Sequence, residues 1–323
     1  MPLLEVKNLT VHYETKIGTV KAVDNASFHL EERQSIGLAG ESGCGKTTIA
    51  LSLLKILPRE GKIINGQILF EGKDLVKLNE DEMRRQIRWK GISLIFQGAM
   101  NALNPVYKVK DQIIEAIQIH EPHVTKKEAY ERAKKLFELT GLDPSRLEHY
   151  PHEYSGGMKQ RACIAMALAC NPKMLIADEP STALDVIVQA QILKLLKDLK
   201  DKLGISLMVI SHDLSLIAET CDTTAIMYAG KIVEFADIVR IFKEPLHPYT
   251  KGLIEAFPSI SSKKFKLVSI PGFPPDLINP PSGCRFHPRC SYAMDICKKE
   301  APKFTEISKG HYVACHLVGG NKG

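Results

Sequence analysis

Apolar and polar positions alternate over residues 4–13 around a short polar break, and again over residues 20–30, a pattern that predicts paired strands with one buried face. Short apolar runs at 35–39, 66–70, 92–96, 173–179 and 205–210 read as further strands, most of them without the alternation of a half-exposed face. Between them the apolar spacing changes to three and four residues, predicting helices over 48–57 (stopped by Pro58), 80–89, 158–169 and 186–203, the last ended by Gly204. Residues 109–141 are helical throughout, with Thr125 and Glu128 spaced as a capping box. The expected fold is α/β: a mostly parallel core sheet, a small antiparallel sheet at the N-terminal end, and an inserted helical subdomain. Ligands of such sheets collect at the carboxyl ends of the strands.

The chemistry falls at those ends. Gly40-Glu41-Ser42-Gly43-Cys44-Gly45-Lys46-Thr47-Thr48 fits G-x-x-x-x-G-K-[ST] between a strand and a helix, the pattern of a phosphate-binding loop. Its glycines let backbone N–H groups turn inward beside a helix N-terminus that favours negative charge. Lys46 is expected on the β- and γ-phosphates, Thr47 on Mg²⁺ and Thr48 on the nearer phosphates. Tyr13 closes its strand where a ring can stack on adenine or simply pack. Gln97 follows the strand at 92–96, where its amide can meet Mg²⁺ or the attacking water. The strand at 173–179 ends in Asp178 and Glu179, an arrangement that is costly without a nearby cation. Asp178 suits Mg²⁺ held through water, and Glu179 suits a general base. His212, after the strand at 205–210, can bond a γ-phosphate. Ser155-Gly156-Gly157 opens another helix and makes a second anion site.

Composition narrows the class. The chain has 323 residues, 44% of them hydrophobic, enough for a large domain and a smaller one. No apolar run approaches the ~18 residues of a membrane span, and the N-terminus lacks the parts of a signal peptide. A cytoplasmic protein that meets a membrane only through a partner is therefore expected. The net charge is +6, and from Ser261 onward ten Lys and Arg face four acids, so the tail carries the whole excess. Four of the eight cysteines, Cys284, Cys290, Cys297 and Cys315, crowd into that tail, whereas Cys163, Cys170 and Cys221 read as small core hydrophobes.

With Ala183-Leu184-Asp185 added, these motifs stand in the order found in ATP-binding subunits of ABC transporters, and the chain resembles that family over nearly its full length. The resemblance implies a head-to-tail dimer, with this chain or a paralogue as partner. Each ATP would lie between one subunit's phosphate loop and the other's Ser155-Gly156-Gly157, with Asp185 nearby. Tyr150-Pro151-His152-Glu153-Tyr154, Leu103-Asn104-Pro105, His247-Pro248-Tyr249-Thr250 and the Cys-rich tail resemble the dipeptide and oligopeptide importer branch. That implies transmembrane permease subunits and a separate substrate-binding protein as partners, a place on the cytoplasmic face of the membrane, and peptides or nickel as cargo, with no nucleic acid. Gly98-Ala99 departs from the acid-proline usual in the family after its glutamine.

Residues 1–240 are expected to form the nucleotide-binding domain, with 98–165 as its helical subdomain, and 241–323 a proline-rich, loop-rich extension that needs a staple. Three readings of its cysteines stand side by side. A [4Fe-4S] cluster accepts four widely spaced thiolates and is implied by the importer resemblance. Zn²⁺ prefers tight C-x-x-C pairs, which the tail lacks. Free or disulfide-bonded thiols are the third. His287 and His316 are alternative ligands, and the tail's basic residues would offset a thiolate cluster. The rival function is a soluble ABC ATPase with an iron-sulfur cluster acting on ribosomes or nucleic acid; in such proteins two cassettes share a chain and the cysteines are N-terminal.

Overall fold

The computed structural model describes residues 1–98, 102–182, 184–256 and 270–319. The chain divides into two compact units, one of residues 1–30, 36–76 and 211 onward, the other of residues 31–35 and 77–210.

The first unit opens with β1 (Leu4–Thr15) and β2 (Gly18–Leu30), antiparallel with Leu4 opposite Leu30 and Glu14 opposite Thr19. The polar break after Val6 does not divide β1. Register shifts on both sides of Leu9, with Asn8 at φ 50°, absorb it as an irregularity within one long strand. After β3 (Ser35–Ala39), buried at all five positions, α1 (Lys46–Leu53) ends four residues before its predicted limit, because Lys55 turns to φ 51°. β4 (Gly61–Phe70) and the two-residue β5 (Lys73–Asp74) complete an antiparallel sheet of order β2-β1-β4-β5. Leu4, Val6, Leu9, Val11, Ile68 and Phe70 on its inner face are almost fully buried, each contributing about 1.5–3 kcal/mol.

In the second unit the helix expected over 80–89 is only a capped turn, α2 (Glu80–Glu82), running into a π-helical turn at Met83–Ile87 that buries Met83 and Ile87. β6 (Ile92–Ile95) stops one residue early and leaves Phe96 half exposed. α3 (Val109–His120) and α4 (Lys126–Leu139) form the helical segment, and α4 begins with the expected reciprocal Thr125–Glu128 cap. They pack with α5 (Gly156–Ala167) around Ile113, Ile117, Ala133 and Phe137. Arg132 fastens them, paired with Glu121 at 2.8 and 3.0 Å and donating to the Ala169 carbonyl at 3.1 Å. β7 (Met174–Asp178), α6 (Val186–Leu203) and β8 (Ser206–Ser211) follow, with β6, β7 and β8 all parallel.

The chain returns to the first unit through α7 (Leu214–Thr220) and β9 (Thr223–Tyr228), which runs parallel to β3. Ala229 and Gly230, at φ 46° and 86°, then make a two-residue turn into β10 (Lys231–Asp237). A loop this short forces antiparallel pairing, so the sheet expected to be mostly parallel is mixed. α8 (Ile238–Lys243) and α9 (Pro248–Glu255) precede the tail, which holds α10 (Asp295–Lys299), β11 (Thr305–Ser308), β12 (His311–Val313) and α11 (His316–Gly319). The described tail is loop-rich up to residue 294 and regular beyond it, where β12 pairs with β10 and carries β11 at its outer edge. Glu234 of β10 pins this region. Fully buried, it accepts the N–H groups of Leu246 and His247 at 2.8 and 2.9 Å and meets His311 Nε2 at 2.8 Å. A carboxylate out of water needs that many partners.

Candidate active site

The phosphate loop is built as its spacing demands. Gly40 sits at φ 152° where a Cβ would lie 2.1 Å from the Met227 carbonyl, and Gly45, at φ 106°, caps α1 with the Ala22 carbonyl 2.2 Å from any added Cβ. Gly43, at φ 77°, faces open space and is needed for its conformation alone. Lys46 is 6% exposed, and its ammonium donates to the carbonyls of Gly40 (2.7 Å) and Glu41 (3.0 Å) and to Cys44 Sγ (3.7 Å). Ser42 and Thr47 are exposed at the loop's rim, and Thr48 is buried, its hydroxyl accepting from Tyr13 at 3.2 Å. Tyr13 is half-buried, its ring so close to Gly61 that a Cβ there would lie 2.7 Å from Cε1. His212 is exposed just beyond β8.

In the second unit β7 carries Asp178 as its last residue, 2% exposed, and delivers Glu179 in the left-handed region at φ 45°. Such a conformation costs a side-chain-bearing residue about 1–3 kcal/mol and is held by its surroundings. Here the Glu179 N–H donates to the Ile210 carbonyl at 2.9 Å, and its Oε2 accepts from Thr182 Oγ1 at 2.9 Å and Gln97 Nε2 at 3.4 Å. The structure thus brings Gln97 to Glu179, and Thr182 is a partner that the sequence did not single out. Within the second unit Gln97 and Asp178 offer only oxygen and amide donors, the kind that suits a hard cation such as Mg²⁺.

Ser155 is the N-cap of α5, accepting the Met158 N–H at 3.3 Å, so Gly156 and Gly157 form the helix's first turn, two residues before its predicted start. Asp185 likewise caps α6 through the Val188 N–H at 2.9 Å. The two helix starts adjoin, since a Cβ on Gly157 would sit 2.9 Å from Val188 Cγ1. Ala183 and Ala99, quoted above with their motifs, lie outside the described residues.

None of the eight cysteines is in a disulfide. Burial pushes the Cys284 thiol up to about 11, and the charges of Cys297, Cys315 and Cys290 push it the same way. Among the described residues no three His, Cys, Asp or Glu side chains are grouped as a single metal ion requires. Each of the two histidines offered as ligands has one ring nitrogen engaged: His287 Nδ1 meets the Cys284 carbonyl and His316 Nε2 the Glu300 carbonyl, both at 2.9 Å. Two of the tail's cations are also committed elsewhere, which corrects their reading as counter-charges to a cluster. Arg285 is paired with Asp24 at 2.6 Å, and Arg289 with Glu41 of the phosphate loop at 2.7 and 3.0 Å. Lys263, Lys264, Lys266 and Lys322 lie outside the described residues.

No helix among the described residues is long and apolar enough to cross a membrane. The family model described as ABC transporter matches residues 23–182, and the one described as oligopeptide/dipeptide transporter, C-terminal region, matches residues 233–297. The chain is 48% identical to the oligopeptide transport ATP-binding protein OppD of Bacillus subtilis, over 98% of this chain and 89% of that one. It is 45% identical to the dipeptide transport ATP-binding protein DppD of Caldanaerobacter subterraneus, over 98% and 97%. A probable peptide ABC transporter ATP-binding protein of Sinorhizobium fredii is 46% identical over 97% and 94%. Among solved structures, the dimeric bacterial ABC transporter cassette MJ0796 superposes with a TM-score of 0.64 at 26% identity, covering 73% of this chain and 98% of the cassette, and so does its post-hydrolysis form bound to ADP and Pi. With relatives this similar along nearly its whole length, the chain belongs to the ABC transporter ATP-binding family, in the branch of the dipeptide and oligopeptide transporters.

Proposed function

We propose that this chain is the ATP-hydrolysing subunit of an importer for dipeptides and oligopeptides, bound to permease subunits at the cytoplasmic face of the membrane and supplied by a separate substrate-binding protein. The observation that carries this reading is the match of residues 233–297 to the oligopeptide/dipeptide transporter C-terminal region, joined in one chain to an ABC cassette. The relatives, all peptide-transport ATP-binding proteins, favour transport over the ribosomal alternative. Peptide cargo is favoured over nickel on the same ground.

The residue roles follow from the donors described above. The loop's N–H groups and Lys46 bind the phosphates, exchanging the ammonium's present contacts with loop carbonyls for phosphate oxygens. Tyr13 orients the adenine. Thr47, Asp178 and Gln97 would hold Mg²⁺, which would neutralise charge on the phosphates. Glu179 accepts a proton from the attacking water while Gln97 and Thr182 fix its carboxylate, and His212 donates to the γ-phosphate. The helix start at Ser155-Gly156-Gly157, with Asp185 beside it, caps the ATP of a second cassette in a head-to-tail dimer. Co-purification with its permease subunits, followed by a panel of labelled peptides, tests the assignment: ATP-dependent uptake of peptides is expected, and uptake of nickel alone would overturn the cargo.

The tail's four thiols are proposed to hold a [4Fe-4S] cluster, whose four irons take ligands farther apart than one ion does. The Cys284 N–H donates to the Cys297 carbonyl at 2.8 Å, which keeps two of the four close together and supports this reading. Protein purified without oxygen is expected to contain iron and sulfide and to absorb broadly in the visible. Iron-free protein from both aerobic and anaerobic preparations rules the cluster out, and stoichiometric zinc replaces it with the other metal.

A further inference from the structure

An anion-binding loop with a carboxylate at its second position is a conflict. Glu41 lies between Gly40 and Ser42, inside the segment whose N–H groups would receive phosphates, and a free carboxylate there repels them. The structure answers from nearly 250 residues away in sequence. Arg289, in the short 3₁₀ turn His287–Arg289 between two of the tail cysteines, is buried with its side chain 6% exposed, and its guanidinium meets the carboxylate as a two-pronged pair, 2.7 Å to Oε2 and 3.0 Å to Oε1.

The rest of the guanidinium is fixed as firmly. Nε donates to the Pro271 carbonyl at 2.7 Å, one terminal nitrogen also reaches the Tyr228 hydroxyl and the other the Ile270 carbonyl, both at 3.4 Å. Each of the five N–H donors therefore has a partner. Beside it Tyr249, fully buried, accepts the Glu41 N–H on its hydroxyl at 3.0 Å. Tyr249 is itself held by Tyr228 and Phe286, with ring centroids 4.7 and 5.4 Å away. The third polar group of Glu41, its carbonyl, accepts from the Lys46 ammonium at 3.0 Å. Carboxylate, amide and carbonyl of one loop residue are thus held by Arg289, Tyr249 and the phosphate-binding lysine.

We infer that the C-terminal segment completes the nucleotide site: Arg289 is a positioning residue that neutralises Glu41 and fixes the loop, and through it Lys46, for binding ATP. Arg285 supplies the natural control. It comes from the same segment and is equally buried, but pairs with Asp24 of β2 and the Ala229 carbonyl, outside the loop. The inference rests on the loop being the ATP site.

The test is ATP affinity of the full-length chain, read with a fluorescent ATP analogue, alongside thermal unfolding without nucleotide. Arg289→Gln is expected to weaken binding about tenfold, in keeping with loss of a charge-assisted bidentate pair. The same change made in a Glu41→Gln background is expected to add nothing, because Arg289 acts through Glu41. Arg285→Gln is expected to lower the melting temperature and leave affinity unchanged. Affinity unaltered by Arg289→Gln, or weakened equally in both backgrounds or equally by Arg285→Gln, overturns the inference. Should Arg289→Gln not fold, Arg289→Lys, which keeps the charge without the fork, decides in the same two backgrounds. A wild-type chain that binds ATP but whose affinity ignores Arg289 sinks this inference alone; one that binds no ATP sinks the loop's assignment as well.

Discussion

Replacing Glu179 by Gln is expected to leave Mg-ATP bound and to lower turnover about a thousandfold, the size of effect a general base contributes. The substitution keeps the shape and removes the ability to take a proton. Thr182 Oγ1 and Gln97 Nε2, which now donate to the carboxylate, can still meet an amide oxygen at the same place. The backbone at φ 45° is no harder for Gln than for Glu. A loss of turnover at unchanged affinity, measured by single-turnover hydrolysis in the assembled importer, is therefore chemical in origin. Were Glu179 merely a strained link after β7, the glutamine variant would hydrolyse ATP at the wild-type rate.

Lys46→Met is expected to abolish the other half of the function, weakening ATP by about a hundredfold or more, since each lost bond to a charged phosphate is worth about 1.5–3 kcal/mol. Methionine keeps the buried stem and removes the ammonium. ATP at a hundred times its Kd should stabilise the wild-type chain by about 2.7 kcal/mol. The same concentration should barely move the variant in thermal unfolding. A full ATP-induced shift in Lys46→Met would mean that the phosphates lie elsewhere.

How much of this was legible in the sequence depended on whether the causes were local. The phosphate loop could be read because its requirements are: three glycines, at φ 152°, 77° and 106°, and a lysine, all within one turn between strand and helix. The cap at Thr125 was legible for the same reason, being satisfied within three residues, whereas the same local geometry at Ser155 and Asp185 emerged only with the structure. The mixed sheet was not foreseen, because Ala229-Gly230 is a weak hairpin signal beside Asn-Gly, and only the positive φ of both residues makes the turn. The helix expected over 80–89 failed where apolar spacing alone could not separate a regular helix from a π-turn that buries Met83 and Ile87. Arg285 and Arg289 stand in the sequence only as tail cations that would offset a thiolate cluster, since nothing near them in sequence shows partners in β2 and the phosphate loop. The one available signal was Glu41 itself, an acid in an anion site that calls for a cation without saying which.

If hydrolysis at this site drives peptide across a membrane, labelled-peptide uptake by the reconstituted importer, with ATP on the side of this subunit, is saturable with the wild-type chain and lost with Glu179→Gln, although both hold Mg-ATP. Uptake at the wild-type rate with Glu179→Gln, or ATP hydrolysis by the wild-type assembly with no peptide moved, would contradict it.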